Sequence, residues 1–408
     1  MNILFFHHNF PAQFRHIAQY FASSKDNSVV FISEHTRSDI KITGVKHYMV
    51  KAAPPKTVES ASLQEFNMQL WRSEAYANAL LELKKKGFKP DIIYDHPGWG
   101  SSLFVKDVFP DIPYVCFFEW YYTKGADYSF WRDANERPPS HFAQNRIRNL
   151  CQLNALSDCN AGITPTQWQR STYPVEFKHK INVLHDGINT DYFSPAKSSE
   201  KLVISGIDLS NASEIVTYVA RGLEPYRGFP QFFRSLPEIL NKRKNCHIVL
   251  MGEDCTKYGE KRTDGKTYKE LMLEDVPVDR SRVHFIGFRP YDEYRKLLRA
   301  SSVHVYLTAP FVLSWSMLEA MSCGCLLVGS DTAPVREVIK HGENGFLFNF
   351  WDSKQLSKVV IEALSKQKSF SKIRENARRT VLEKYDLSKL LPMHESVILS
   401  ALKCSSRD

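Results

Sequence analysis

Two arginines flanked by glycines stand in "VARGLEPYRGF", Arg221 beside Gly222 and Arg227 beside Gly228. A guanidinium can grip a diphosphate through paired N–H donors, and glycine lets backbone approach a phosphate closely. The plain alternative is a pair of solvated surface arginines. Glu319, in "SWSMLEAMSCG", is an acid placed late in a helical repeat of Trp315, Leu318 and Met321. An acid there opposes the helix dipole and needs another reason, which accepting hydrogen bonds from both hydroxyls of a ribose would supply. An exposed surface glutamate fits equally well. Further polar residues cluster where apolar runs end. His96 closes "DIIYDH" and is either a site residue or a cap for "PGWG". His8, Asn9 and Gln13 follow "MNILFFHH", and Gly252 and Glu253 close "CHIVLMGE". Glu119 precedes the aromatic stretch "WYYTKGADYSFW", whose rings would either stack on sugar faces or pack the core.

These residues need a scaffold, and the pattern of apolar runs supplies one. "NILFF" reads as a strand, and Phe14, Ile17, Ala18 and Phe21 recur at helical spacing after it. "NSVVFISE" is the next strand, "SEAYANALLELKKKGFKP" a helix, and "DIIYDH", "PYVCFFEW", "AGITPT" and "INVLHDGI" further strands. Polar, turn-rich residues 196–212 read as a linker. The alternation then restarts with "EIVTYVARG", a helix in "PQFFRSLPEILNKR", "CHIVLMGE", "VHFIGF", a helix in "YDEYRKLLRAS", "VHVYLT", the helix through Glu319 and "CLLVGSD". Strand–helix alternation predicts an α/β fold of two doubly wound parallel-sheet domains, over 1–196 and 197–385, with 386–408 a helix packing back toward the first. Open parallel sheets bind ligands beyond the carboxyl ends of their strands, so a cleft between the halves is the expected site.

A chain of 408 residues, 43% hydrophobic and 24% charged, fits a two-domain globular protein. No stretch reaches the roughly 18 unbroken apolar residues of a membrane span, and the start lacks a secretory signal, so a cytoplasmic protein is expected. The eight cysteines lack zinc-site spacing and disulfide density, and read as reduced core residues. Net charge of +9 favours an anionic partner without choosing one. Lys84, Lys85, Lys86 and Lys89 close a helix, where they either touch anionic lipid or answer the helix dipole.

Taken in order, "VLHDGINTDYFSP", "VARGLEPYRGF", "VHFIGF", "LEAMSCGCLLVGSD" and "REVIKHGENGFLF" resemble the motif series of glycosyltransferase family 4, the retaining, nucleotide-sugar-dependent enzymes of GT-B fold. "PDIIYDHPGWG" is similar to the strand end of the family's first domain. The resemblance implies two Rossmann-like domains facing across a cleft. It implies that Arg221 and Arg227 hold the donor diphosphate, that Glu319 meets the nucleotide ribose, and that His96 lies near the donor sugar. Phe311 occupies the place of the motif's first glutamate, and "VLS", ending in Ser314, replaces Gly-Phe-Gly. Phenylalanine accepts no hydrogen bond, so another group takes that role or the donor sugar is held differently. The family's glycine loop after the first strand is absent, and His8, Asn9 and Gln13 stand there instead.

The expectation is therefore a retaining transferase moving a sugar from a nucleoside diphosphate to a glycan or lipid-linked acceptor in bacterial surface polysaccharide synthesis, with peripheral contact to anionic membrane. Arg221 and Arg227 meet the leaving group's charge, His8, Asn9, Gln13 and Glu119 belong to the acceptor side, and no metal is expected, since no Asp-x-Asp cluster appears. A non-catalytic sugar-nucleotide-binding protein and a nucleotide-sugar epimerase are the rivals. Nucleic-acid binding is disfavoured because the basic residues are spread and no recognised motif occurs.

Overall fold

The computed structural model describes residues 1–37, 40–51, 54–123, 130–131, 139–196 and 203–405. Residues 124–129 of the aromatic stretch, 197–202 of the predicted linker and 406–408 of the predicted last helix lie outside the described residues. The chain forms two compact units, Met1–Gly187 with Leu387–Asp408, and Ile188–Asp386.

The first unit carries a seven-stranded sheet. Its strands are β1 (Asn2–Phe6), β2 (Ser28–Ser33), β3 (Val45–Met49), β4 (Ile92–Asp95), β5 (Tyr114–Phe117), β6 (Ala161–Thr164) and β7 (Ile181–Val183), in the order β3-β2-β1-β4-β5-β6-β7. All neighbours run parallel, with Ile3 paired to both Val29 and Ile92. Central β1 is buried on both faces. Ile3 and Phe5 pack with Phe14, Ile17 and Phe21 of the segment around helix α1 (Arg15–Ala22), while Leu4 and Phe6 pack with Tyr76 and Leu80 of helix α2 (Ala61–Lys85). That double burial is why the strand reads as an unbroken apolar run.

α2 starts at Ala61, earlier than the predicted Ser73, because Ser60 caps it by accepting from the Leu63 amide. Its first half leaves Leu63 and Phe66 exposed, so no apolar stripe marks it in the sequence. At its other end the Lys84 ammonium donates to the Val108 carbonyl at 2.7 Å and lies over the Phe109 ring, so this lysine is engaged by its own domain. Among the described residues no helix is long and apolar enough to cross a membrane.

The second unit holds a six-stranded parallel sheet of β8 (Glu214–Gly222), β9 (Cys246–Glu253), β10 (Val283–Gly287), β11 (Val303–Tyr306), β12 (Leu327–Ser330) and β13 (Phe346–Phe348), ordered β10-β9-β8-β11-β12-β13. Three of its helices position candidate residues: α3 (Phe229–Lys242), α4 (Tyr291–Ala300) and α5 (Trp315–Ser322).

The units divide at Gly187/Ile188, not at residue 196. Ile188 donates its amide to the Tyr385 carbonyl at 2.8 Å, Thr190 bonds Asp386, and Phe193 is buried in the second unit's core. Within the predicted linker, Val203–Ile204 pairs antiparallel with Ile207–Asp208, and Ile204 and Leu209 are buried. The chain returns to the first unit in helix α6 (Leu387–Ser405), where Ile398 joins the cluster of Phe5 and Tyr20 donates to Glu395 at 2.7 Å.

Candidate functional site

In the second unit, the carboxyl end of β8 leads through Leu223–Tyr226 into Arg227 and then α3. Gly228 makes this turn at φ +65°, and a Cβ there would stand 2.5 Å from Leu307 Cβ, so both conformation and space require glycine. Arg227 is 7% exposed. Its Nη1 donates to Thr308 Oγ1 at 2.8 Å and to the Val312 carbonyl at 3.0 Å. Thr308 is itself fixed from the end of β12, because Ser330 Oγ accepts the Thr308 amide and donates to its carbonyl. Among the described residues no carboxylate lies within ion-pair distance of Arg227, and its Nε and Nη2 bond nothing in the protein. Glu224 answers this charge only from a distance, and a buried cation without a direct ion pair is a ready seat for an anion.

Aromatic rings line this guanidinium. Tyr258 and Phe311 have ring centroids 5.3 and 5.5 Å from Arg227 Cζ and 5.1 Å from each other, and Tyr226 meets Phe311 edge-on at 5.5 Å. Arg221 is exposed and reaches the Tyr258 hydroxyl at 3.4 Å, so the two motif arginines converge on one tyrosine. Tyr258 is held by Glu224, a fully buried acid whose Oε2 accepts the amides of Lys257 and Tyr258. Burial raises the Glu224 pKa, opposed by those amides and by both arginines.

Ser314 caps α5 by accepting from the Ser316 amide at 3.4 Å and gives its own amide to Tyr306 Oη at 2.9 Å. Glu319 is 6% exposed and accepts from Tyr294 Oη of α4 at 2.8 Å. Burial, then the Glu319 charge, pushes the Tyr294 hydroxyl well up. Glu253 is exposed and ion-paired with Lys257 at 2.6 Å. Gly252 is required by close strand packing, since a Cβ would stand 2.6 Å from the Ala220 carbonyl oxygen.

In the first unit, histidines and acids gather at the carboxyl ends of β1, β2, β4 and β5. His96 is buried and puts Nε2 3.4 Å from Glu119 Oε2, while Gln13 Nε2 donates to Glu119 Oε1 at 2.6 Å. Three predicted residues thus form one chain of contacts. His7 packs its ring 4.6 Å from His96 and accepts the Asn9 amide on Nδ1 at 2.8 Å, which puts the proton of the neutral ring on Nε2. Burial, with His96 and His8 adding to it, holds His7 well below its usual pKa. Asn9 enters this network through its backbone.

His8 stacks on Trp99 at 4.7 Å and places Nδ1 3.3 Å from Glu34 Oε2. His35 brings a third ligand-type atom, all within 4.8 Å of one another. Arg72 already bonds Glu34 Oε1 at 2.5 Å and supplies the positive charge an ion would bring. Burial opposes ionisation of Glu34, but His8 and Arg72 outweigh it and hold the carboxyl below its ordinary value. Glu34, Arg72, Trp99, Tyr258 and Glu224 also belong to these clusters, and no motif marks them in the sequence. Glu34 and Arg72 are 38 positions apart, and only the fold joins them.

Both units are thus doubly wound parallel sheets with polar clusters at strand ends. The description "Glycosyl transferase family 4 group" matches residues 25–193, and "Glycosyl transferases group 1" matches residues 204–380. The chain belongs to this family of glycosyltransferases and has its GT-B architecture of two Rossmann-like domains. It is similar to an uncharacterized glycosyltransferase of Methanocaldococcus jannaschii, 26% identical over 230 residues, or 56% of each chain. It is also similar to N-acetyl-alpha-D-glucosaminyl L-malate synthase of Bacillus anthracis, 28% identical over 135 residues, or 33% of each. The matched stretches therefore span about half and a third of these relatives. Among solved structures, Anabaena HepE in complex with UDP-glucose aligns with TM-score 0.69 at 16% identity, over 98% of this chain and 100% of that one.

Proposed function

We propose that this protein is a retaining glycosyltransferase whose second unit binds a nucleoside-diphosphate sugar and whose first unit meets a glycan or lipid-linked acceptor, in the synthesis of a bacterial surface polysaccharide. The observation that carries the reading is Arg227, a buried guanidinium without a carboxylate partner, with its Nε and Nη2 left for a ligand. A diphosphate leaving group gains charge as its bond to the sugar breaks. A preorganised cation in a low-dielectric site favours that change more than the ground state. Arg221 and the amides at the amino end of α5 add to the same field. In this reading the diphosphate's charge is met by the two arginines, and Glu319 lies along the nucleoside. HepE was crystallised with UDP-glucose, which makes UDP the first nucleotide to try.

The test is a thermal-shift series with UDP, GDP, ADP and the matching nucleosides on the wild type and Arg227→Ala. One diphosphate should raise the melting temperature of the wild type progressively as its concentration exceeds its dissociation constant, and its nucleoside should raise it far less. Arg227→Ala should keep its ligand-free transition and lose the increment due to the diphosphate. A folded wild type that no nucleotide shifts would refute the donor site. Sugar transferred from the stabilising donor, with its anomeric configuration read by NMR, would then separate transfer with retention from binding alone or epimerisation.

A further inference from the structure

We infer that Trp99 is a stacking platform for a pyranose ring, so that the acceptor meets the first unit with a sugar face and its hydroxyls, not with a phosphate. This inference rests on the acceptor side of the reading above and names the acceptor's class.

Of the seven tryptophans in the chain, Trp99 alone is exposed, at 39%. Its turn is nevertheless pinned to α2. Arg72 donates Nη1 to the Trp99 carbonyl at 2.6 Å, and Ser73 donates its hydroxyl to the Gly100 carbonyl at 2.8 Å. Gly100 closes the turn at φ +81°, and a Cβ there would stand 2.8 Å from Gln69 Cγ. The indole itself lies on the His8 ring, with centroids 4.7 Å and planes 19° apart, and the rings of His7 and His96 stand 6.5 and 6.4 Å away. Glu34 ties His8 to Arg72, placing Oε2 3.3 Å from His8 Nδ1 and Oε1 2.5 Å from Arg72 Nε. A single exposed apolar side chain is ordinary, but this one is held from α2 and from the ends of β1 and β2. A flat ring fixed in that way loses little entropy when a sugar stacks on it, and the C–H face of a pyranose covers apolar area that water would otherwise wet. The polar groups beside the ring choose the class of ligand. Arg72, the guanidinium of this cluster, is already paired with Glu34. Glu119 Oε2, 3.4 Å from His96 Nε2, adds a carboxylate, which accepts from hydroxyls and repels a phosphate.

The test is saturation-transfer NMR on the full chain, without donor, using the methyl pyranosides of glucose, galactose, mannose and N-acetylglucosamine, with farnesyl phosphate as the phosphate arm. At least one pyranoside should receive saturation, strongest at the C–H protons of one ring face, and farnesyl phosphate should not displace it. Trp99→Ala and Trp99→Leu should weaken that pyranoside about tenfold, while Trp99→Phe, which keeps a flat ring, should stay within about threefold of wild type. Leucine keeps apolar bulk without a face, so the comparison of Trp99→Leu with Trp99→Phe carries the test even if Trp99→Ala fails to fold. Equal affinities in those two variants would reduce Trp99 to packing and overturn the inference. So would displacement of the pyranoside by farnesyl phosphate, or a wild type that binds none of the four pyranosides. Failure of the wild type to bind any nucleoside diphosphate would instead overturn the donor-site reading, because the saccharide measurement contains no donor.

Discussion

Glu319 sits on a helix that is buried all round, and its neighbours on α5 are Met317, Leu318, Ala320 and Met321, each unexposed. A carboxylate at that depth needs donors, and the Tyr294 hydroxyl is one. Tyr294→Phe removes that donor and keeps the ring. It should destabilise the second unit by about 1.5–3 kcal/mol, the range for a hydrogen bond to a charged group. Urea unfolding followed by a probe in the second unit measures this, and an unchanged midpoint would mean that other donors already satisfy the acid. The motif arginines and Glu319 were legible in the sequence because they lie in one run of chain each. Tyr258 was not, because it reaches Arg227 from a separate loop and owes its place to Glu224, whose amide partners cannot be seen from residue type. The same holds for Glu34 and Arg72, joined across strand and helix.

At the scale of elements, reading improved where burial imposes a period. β1, β2, β4 and β5 are apolar runs because both faces are covered, and α1 announces itself by Phe14, Ile17 and Phe21. Edge strand β3, "VKHYM", is half solvated and carries no such signal in its residue types. Strand ends carry the chemistry, and β4 ends on Asp95, which is fully buried and accepts from Tyr114 Oη at 2.6 Å and Ser101 Oγ at 3.3 Å. Burial pushes its pKa up to about 6, against those hydrogen bonds. An acid whose folded pKa is raised costs nothing below its unfolded value near 3.8. The cost grows as pH rises through the interval and is complete above about 6. Asp95→Asn keeps an acceptor for Tyr114 and removes the ionisation. Relative to wild type it should gain up to about 3 kcal/mol of stability between pH 4 and 7, the integral of about 1.4 kcal/mol per pH unit. Denaturant titrations at pH 4, 5, 6 and 7 would reveal a variant-minus-parent difference that climbs with pH. A flat or falling difference would mean that the buried carboxyl stays ionised without penalty.

Over the whole molecule, the two halves were legible from the restart of strand–helix alternation after residue 212, but their seam was not. Residues 188–195 look like a continuation of the first half and are held by Tyr385, Asp386 and the second core, partners nearly two hundred positions away. The division has a consequence for acid stability, because buried histidines are unequally shared. In the first unit burial holds His7 well below its usual value, lowers His185 to about 3 and His394 to about 4, and lowers the half-buried His47, while burial and Arg15 lower His16 to about 4. The second unit has His304, lowered to about 3 by burial, and the more accessible His247 and His284, lowered by burial as well. A histidine whose folded pKa is depressed gives its full stability above its unfolded value near 6.5. It loses that contribution as pH falls toward the folded pKa, by about 1.4 kcal/mol per unit for each ring. Asp95 works in the opposite sense in the first unit, but one carboxyl offsets only one of five rings. Between pH 6.5 and 5, hydrogen exchange followed by mass spectrometry, corrected for the intrinsic pH dependence of exchange, should register loss of protection in β1, β4 and α6 before β8, β11 and β12. Loss in the second sheet first, or in both together, would mean that the buried imidazoles of the first unit are not what sets its acid limit.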